Sequence, residues 1–166
     1  VLKLTGLNEA MRSIAVIGWT MIIFGILLWW MDQRSPQEKA ETEWSLKDAL
    51  KMGLWQALAL IPGTSRSGIT ITGARHLGYT RKDATKLAML MSIPTIIASG
   101  ALLSLDVIKE ADIDLAKDAA IAAVFSFFAA LLALTFMMRL LRSVSFTPYV
   151  IYRILLGVAL LFIAYS

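Results

Sequence analysis

The sequence predicts an all-α integral membrane protein with about four transmembrane helices plus one re-entrant helix hairpin, and three observations carry that reading. The composition is 58% hydrophobic with only 17% charged residues, and the mean hydropathy is +0.69. Soluble domains run at about half apolar and about a quarter charged. Uncharged runs recur along the chain at the length, about 20 helical residues, that crosses a hydrocarbon core about 30 Å thick. The third observation is a polar loop broken by proline and glycine, Pro62-Gly63-Thr64-Ser65-Arg66-Ser67-Gly68, stranded between two half-length apolar stretches.

The spans are expected at 13–31, 87–105, 119–138 and 148–166, the last interrupted only by Arg153. The first is longer than a signal-peptide core and lacks a small-residue cleavage pattern, so it reads as a span. Trp29 and Trp30 close it where an aromatic belt belongs, and Asp32-Gln33-Arg34-Ser35-Pro36 breaks the helix. Residues 37–43 read as a solvated connection. Ser45 then serves as N-cap with Asp48 three residues on, a weak capping box. The element it opens, 46–61, carries Lys47, Asp48 and Lys51 early and is too short and too polar at one end to span. Pro62 cannot continue a helix, and Gly63 permits a reversal. A second short element, 69–77, ends at Gly78 and Arg81-Lys82-Asp83.

Residues 69–72, Ile-Thr-Ile-Thr, alternate as a strand would, but a lone strand in lipid leaves its backbone unpaired, so a helix is expected. Two half-length elements joined by a polar loop, 46–79, describe the re-entrant hairpin, since irregular backbone is tolerated at membrane depth only where protein or a polar cavity surrounds it. Pro94 should kink the second span, with Ser92, Thr95 and Ser99 satisfying freed carbonyls. Gly53 with Ala57, and Ala119 with Ala123, are expected to let helices approach closely. The whole of 1–166 reads as one membrane-embedded domain. Its start at Val1, directly into an amphipathic stretch, reads as a piece of something longer.

The net charge of +4 is more informative as a distribution. Arg139 and Arg142 mark one cytoplasmic connection, and Arg81, Lys82 and Lys86 another. The connection 106–118 holds Asp106, Glu110, Asp112, Asp114 and Asp118 against Lys109 and Lys117, which suits a solvated outer loop better than a cation site. These charges sit at span ends and form no basic face, which argues against nucleic-acid binding. Without cysteine, thiol chemistry is excluded.

An arginine flanked by hydroxyls is costly near hydrocarbon and asks for a ligand, with phosphate the leading candidate. If Ser67 or Gly68 caps the second half-helix, its first N–H groups point unpaired at the loop, and the helix dipole adds about half a positive charge there. Arg66 offers a planar fork matching two phosphate oxygens, and Thr64, Ser65 and Ser67 add hydroxyls. Thr70 and Arg75 face the same cavity if the element is helical. Pro-Gly-x-Ser also describes an ordinary surface turn, against which the apolar flanks weigh. The segment is no nucleotide P-loop, because no Gly-Lys-Ser/Thr follows. Gln56 reads as a helix-packing hydrogen bonder or a substrate contact. His76 reads as structural or interfacial before acid–base catalysis. Arg153 divides between interfacial anchoring and a structural partner inside the bundle.

The stretch from Gln56 through Pro62-Gly63-Thr64-Ser65-Arg66-Ser67-Gly68-Ile69-Thr70, with Tyr152-Arg153-Ile154-Leu155-Leu156-Gly157 in the last span, resembles the bacterial undecaprenyl-pyrophosphate phosphatase family. The resemblance covers essentially the whole chain and matches the C-terminal portion of a member. It implies the second half of an inverted-repeat architecture in the bacterial cytoplasmic (inner) membrane, hydrolysis of undecaprenyl pyrophosphate to recycle the cell-wall lipid carrier, and a link to bacitracin resistance. It implies catalytic roles for Arg66 and Ser65, and substrate contacts from Gly63, Thr64, Ser67, Gly68, Thr70 and Gln56. A divalent cation, Mg²⁺ or Ca²⁺, is implied as cofactor with ligands mainly outside these residues, in an N-terminal repeat, so that this chain alone should be inactive. The partners implied are the polyprenyl pyrophosphate lipid, the bilayer and that missing repeat, with a second copy of the chain kept as a candidate. A polyprenyl-phosphate transporter or flippase is the competing reading, since interrupted helices also hold anionic substrates in transporters.

Overall fold

The computed structural model describes residues 13–110, 113–140 and 145–166, which are helical with short connections. The helices are α1 (Ile14–Arg34), α2 (Leu46–Ala57), α3 (Arg66–His76), α4 (Arg81–Glu110), α5 (Ile113–Leu140) and α6 (Thr147–Tyr165). Four of them, α1, α4, α5 and α6, are long and apolar enough to cross a membrane. The chain divides into two compact units, Val1–Ala88 with Val144–Ser166, and Met89–Ser143.

In the first unit, α1 starts where the Ser13 hydroxyl accepts from the Val16 amide at 3.2 Å, an N-cap that satisfies one orphan donor. It runs past the expected end at residue 31 because Asp32 is buried and paired (below). It stops at Ser35, which Pro36 holds in extended geometry. Helix α6 begins with Pro148 in its first turn, where a missing N–H costs nothing. The two helices cross antiparallel at glycines: a Cβ on Gly18 would stand 3.0 Å from the Gly157 carbonyl, and one on Gly157 would stand 2.9 Å from the Gly18 carbonyl. Between lipid-solvated helices such small residues permit the close backbone contact that dispersion rewards. The pair expected in this role, Gly53 with Ala57, does not supply it. A Cβ on Gly53 meets nothing within 4 Å, and Ala57 is exposed.

Helices α2 and α3 form a helix–loop–helix that packs on α1 through α3. Ser45 caps α2 by accepting from the Asp48 amide at 3.2 Å. The reciprocal half of the capping box is absent, because the Asp48 carboxylate turns instead to Lys39 Nζ at 2.5 Å and to the Tyr79 hydroxyl at 2.8 Å. Helix α2 tightens into a 3₁₀ turn at Leu58–Leu60 and ends before Pro62. Helix α3 begins at Arg66, three residues earlier than the expected 69. The Ile-Thr-Ile-Thr segment is helical, and its threonines donate to carbonyls four residues back, Thr70 to Arg66 and Thr72 to Gly68, both at 2.8 Å. β-branched residues are thus accommodated without unpaired hydroxyls. Gly73 lets α3 press on α2, since a Cβ there would meet Trp55 at 2.7 Å.

Residues 37–43 are exposed or half-buried, as a solvated connection should be, and are pinned to the chain at Lys39 and Glu41. The Lys39 amide donates to the Gly78 carbonyl and the Thr80 amide to the Lys39 carbonyl, both at 3.0 Å, and Lys86 pairs with Glu41 at 2.6 Å. The hydrogen bond to Asp48 pushes Lys39 above its ordinary pKa. Burial works to raise the Asp48 carboxyl, but donors from Lys39, Tyr79 and Ser45 outweigh it and bring it below its ordinary value. Burial, then Asp48, pushes the Tyr79 phenol up.

The second unit holds the later turns of α4 and helix α5. Helix α4 continues through Pro94, and the Ser92 hydroxyl donates to the Met89 carbonyl at 2.6 Å. The acidic stretch expected as a loop is largely helix, α4 reaching Glu110 and α5 resuming at Ile113. Asp112 and Arg142 lie outside the described residues. No residue of the 117–136 window of α5 is buried within this structure, and Ala119 and Ala123 are exposed with the rest. A helix apolar on every side, with Phe125, Phe127, Leu132 and Phe136 all exposed, is matched to a hydrocarbon solvent.

Candidate functional site

The loop between α2 and α3 is built by one turn and one cap. The Thr64 amide donates to the Ile61 carbonyl at 3.3 Å, and Gly63 sits between them at φ +83°. Proline followed by a glycine at positive φ is the pattern of a type II turn. The turn lies on α1: the Thr20 hydroxyl donates to the Pro62 carbonyl at 2.7 Å, and a Cβ on Gly63 would stand 2.7 Å from the Ile17 carbonyl. No other residue type fits there.

Ser65, not Ser67 or Gly68, caps α3. Its hydroxyl accepts from the Gly68 amide at 3.2 Å, lies 3.2 Å from the Tyr149 hydroxyl and 3.5 Å from the Ser67 hydroxyl. It holds φ +69°, the one positive value among described non-glycine residues, a strain of about 1–3 kcal/mol that the surrounding bonds must hold. The amides of Arg66 and Ser67 have no acceptor inside the helix, and the positive end of the helix dipole is centred on them. Arg66, the first residue of α3, is half-buried, and its guanidinium has no side-chain partner among the described residues. Thr64 is fully buried, and its hydroxyl lacks a partner among the same residues. The Thr70 hydroxyl is committed to the Arg66 carbonyl, and Gln56 lies half-buried one residue before the end of α2.

Two basic residues lie elsewhere than expected. Arg75 is nowhere near the loop. It is completely buried at the opposite end of α3, where Nε donates to Asp32 Oδ1 at 3.2 Å and the remaining nitrogens donate to the carbonyls of Asp32, Ser35, Pro36 and Tyr79. Arg81 reaches the same Asp32 oxygen at 2.8 Å, and the Phe146 amide donates to the other at 3.4 Å. One carboxylate therefore ties together the end of α1, the end of α3, the start of α4 and the start of α6. His76 is exposed, its ring 5.9 Å from that of Trp55.

Arg153, the residue left evenly divided, is 2% exposed on α6 and donates through Nη2 to the Gly63 carbonyl at 2.7 Å. Tyr149, one helical turn earlier, has its ring 5.9 Å from the Arg153 guanidinium. Sequence reasoning passed over Tyr149 altogether. Its spacing of four from Arg153 puts the two on one face, and that was the signal available.

The hairpin's two ends, at Lys39 to Tyr79 and at Arg75, stand beside Asp32, while its tip stands beside Thr20. Twelve helical residues separate those two levels, or roughly 18 Å along α1 at 1.5 Å per residue. Charge at the tip is supplied by guanidinium, amide and hydroxyl groups, and among the described residues no carboxylate is within its hydrogen-bond network. Among the described residues no group of three or more His, Asp or Glu side chains is arranged to hold a metal. The divalent cation that the resemblance implies does not fit this donor set, which suits an anion.

Fold and loop define a class: a multi-pass helical membrane protein with a polar, helix-breaking loop between two shorter helices. The family described as "Bacitracin resistance protein BacA" matches residues 1–159, and the chain belongs to it. Its relatives include the undecaprenyl-diphosphatases of Dinoroseobacter shibae, 71% identical over 99% of this chain and 62% of the relative, and of Ruegeria pomeroyi, 68% identical over the same shares. A more distant one, from Aliivibrio salmonicida, is 46% identical over 91% of this chain and 57% of the relative. The chain thus spans about 62% of the length of the first of these relatives.

Proposed function

We propose that the loop of 62–68 binds the diphosphate head of a polyprenyl lipid, and that the whole protein hydrolyses undecaprenyl pyrophosphate to undecaprenyl phosphate and phosphate in the bacterial inner membrane. The observation that carries this is Arg66: a half-buried guanidinium at the N-terminus of α3, beside two unsatisfied amides, with no carboxylate partner among the described residues. A diphosphate in that position gains charge-assisted hydrogen bonds from the guanidinium fork and from the dipole end of the helix. The names of the relatives supply the substrate, and the apolar exteriors of the long helices supply a solvent for its lipid chain.

In this reading α2 and α3 form a re-entrant hairpin, entering and leaving beside Asp32 and carrying Arg66 to the depth of Thr20. Cleavage breaks the bond between the terminal phosphorus and its bridging oxygen, and negative charge grows on the departing lipid phosphate. Arg66, the α3 amides and the hydroxyls of Ser65 and Ser67 stabilise that charge without reorganising. The group that delivers the attacking oxygen and the divalent-cation ligands belong, in this proposal, to segments beyond the residues described, and these residues alone are inactive.

The test is Arg66→Ala in the whole protein, purified in detergent and assayed for phosphate release from undecaprenyl pyrophosphate. Loss of one preorganised charged donor predicts a fall of about 10²-fold or more in turnover with an unchanged melting profile. Turnover within threefold of wild type sinks the assignment. Absence of phosphate release from the wild-type protein points to a lipid transporter instead.

A further inference from the structure

We infer that Tyr149 is a positioning residue of the anion site: its phenol donates to Ser65 Oγ and so commits the serine hydroxyl, as a donor, to a bound phosphate. This rests on the phosphate-binding reading of the loop and adds to it a hydroxyl from a different helix. Tyr149 stands in the first turn of α6, 84 residues along the chain from Ser65, and the two side-chain oxygens lie 3.2 Å apart.

A serine hydroxyl has one hydrogen to give and two lone pairs with which to accept. The Gly68 amide occupies one lone pair of Ser65, because that bond is the cap of α3. Ser65 keeps one place to accept and one hydrogen to donate, and its neighbours are the hydroxyls of Tyr149 at 3.2 Å and Ser67 at 3.5 Å. Three hydroxyls joined by two links hold three hydrogens and use two. At least one hydrogen therefore leaves the cluster, whichever way the bonds run. Their direction follows from acidity: a phenol is a stronger donor than an alcohol, so Tyr149 gives to Ser65 and the spare hydrogen emerges at the serine end. The amides of Arg66 and Ser67 also lack acceptors there. Guanidinium, amides and hydroxyl are then donors without exception, while an ionised phosphate oxygen only accepts. A serine with an open lone pair can turn either way and serves water as readily as phosphate. With that lone pair filled by Tyr149, it can only donate.

The experiment uses the whole protein and two probes, inorganic pyrophosphate as a binding ligand read by calorimetry and farnesyl diphosphate as a soluble substrate. Tyr149→Phe deletes the hydroxyl and keeps the ring beside Arg153. The expected result is a melting temperature within about 1 °C of wild type, pyrophosphate affinity weakened about three- to tenfold, and kcat/KM lowered by at least that factor. A tyrosine that only braces the fold gives the reverse, earlier melting with affinity kept. That outcome, or no change in either quantity, overturns the inference. Action through Ser65 is read by repeating the substitution on Ser65→Gly, a background that accepts the positive φ and has no serine hydroxyl to orient. There Tyr149→Phe should cost no further affinity, and a full second loss overturns the inference. The same comparison decides the case in which Tyr149→Phe both melts early and binds weakly. If the wild-type protein binds no pyrophosphate, the phosphate-binding reading and this inference fail together. Binding lost in Arg66→Ala but unchanged in Tyr149→Phe keeps that reading and overturns this inference alone.

Discussion

Replacing Asp32 by alanine removes the one carboxylate on which the end of α1, the end of α3, the start of α4 and the start of α6 converge. Arg75 and Asp32 both have fully buried side chains, and breaking such a pair from one side costs about 3–5 kcal/mol because the other charge stays desolvated. Arg75 retains four carbonyl acceptors, which places the cost near the lower end. Arg81 is 25% exposed, so it can turn to water, and its own pair adds at most about 1 kcal/mol. The orphaned Phe146 amide adds roughly 1 kcal/mol. A total of about 4 kcal/mol follows, a loss large enough to read as a fall on the order of 10 °C in melting temperature, at about 2–4 °C per kcal/mol for a chain of this size. Tryptophan fluorescence of the whole protein during heating in detergent reports it. Asp32→Ala combined with Arg75→Met removes the stranded charge as well, so the double variant should recover part of the loss. An Asp32→Ala melting temperature within about 1 °C of wild type, or a double variant that melts lower than the single one by the full cost of a second lesion, refutes the account of Asp32 as the tie.

Two further outcomes follow from the loop and its base. Gly63→Ala combines a positive φ, worth about 1 kcal/mol against a non-glycine residue, with a contact against the α1 backbone; it should lower the melting temperature and weaken pyrophosphate binding together, and an unchanged profile on both counts speaks against the turn assignment. The Asp48 carboxyl is held below its ordinary pKa in the fold, so its contribution is present above pH ~4 and is lost as pH falls through the lowered value. The raised Lys39 contributes below its ordinary pKa and loses that contribution as pH climbs through the raised one. Asp48→Asn should therefore melt lower than wild type at pH 6 by on the order of 1 kcal/mol, and the two should converge in acid. A constant offset from pH 6 to pH 3 excludes the pairing as its cause.

The sequence alone determined the solvent and the punctuation. Apolar runs of spanning length require helices because lipid offers no partner to an open backbone, and α1, α4, α5 and α6 follow from that. Pro62 cannot continue a helix and Gly63 permits a reversal, so the interruption was legible as well, along with Ser45 as a cap and the anion-suited side chains of 64–67. These are short-range constraints, each decided within a few residues. Tertiary structure decided everything that depends on which distant groups share a level. Two arginines on apolar helices look alike in sequence, yet Arg75 is neutralised by a carboxylate 43 residues away and Arg153 arrives at Gly63 from 90 residues away. Residues 37–43 are as solvated as their polar composition suggests, but that composition does not reveal that Gly78 and Thr80 offer Lys39 backbone partners. Ser65 took the cap from Ser67 and Gly68 through a positive φ that no propensity favours, held by Gly68 from within the loop and by Tyr149 from α6. Local rules fix where a chain must bend; only packing assigns a buried charge its counterpart, because desolvation makes the identity of the nearest partner, however remote in sequence, the dominant energy.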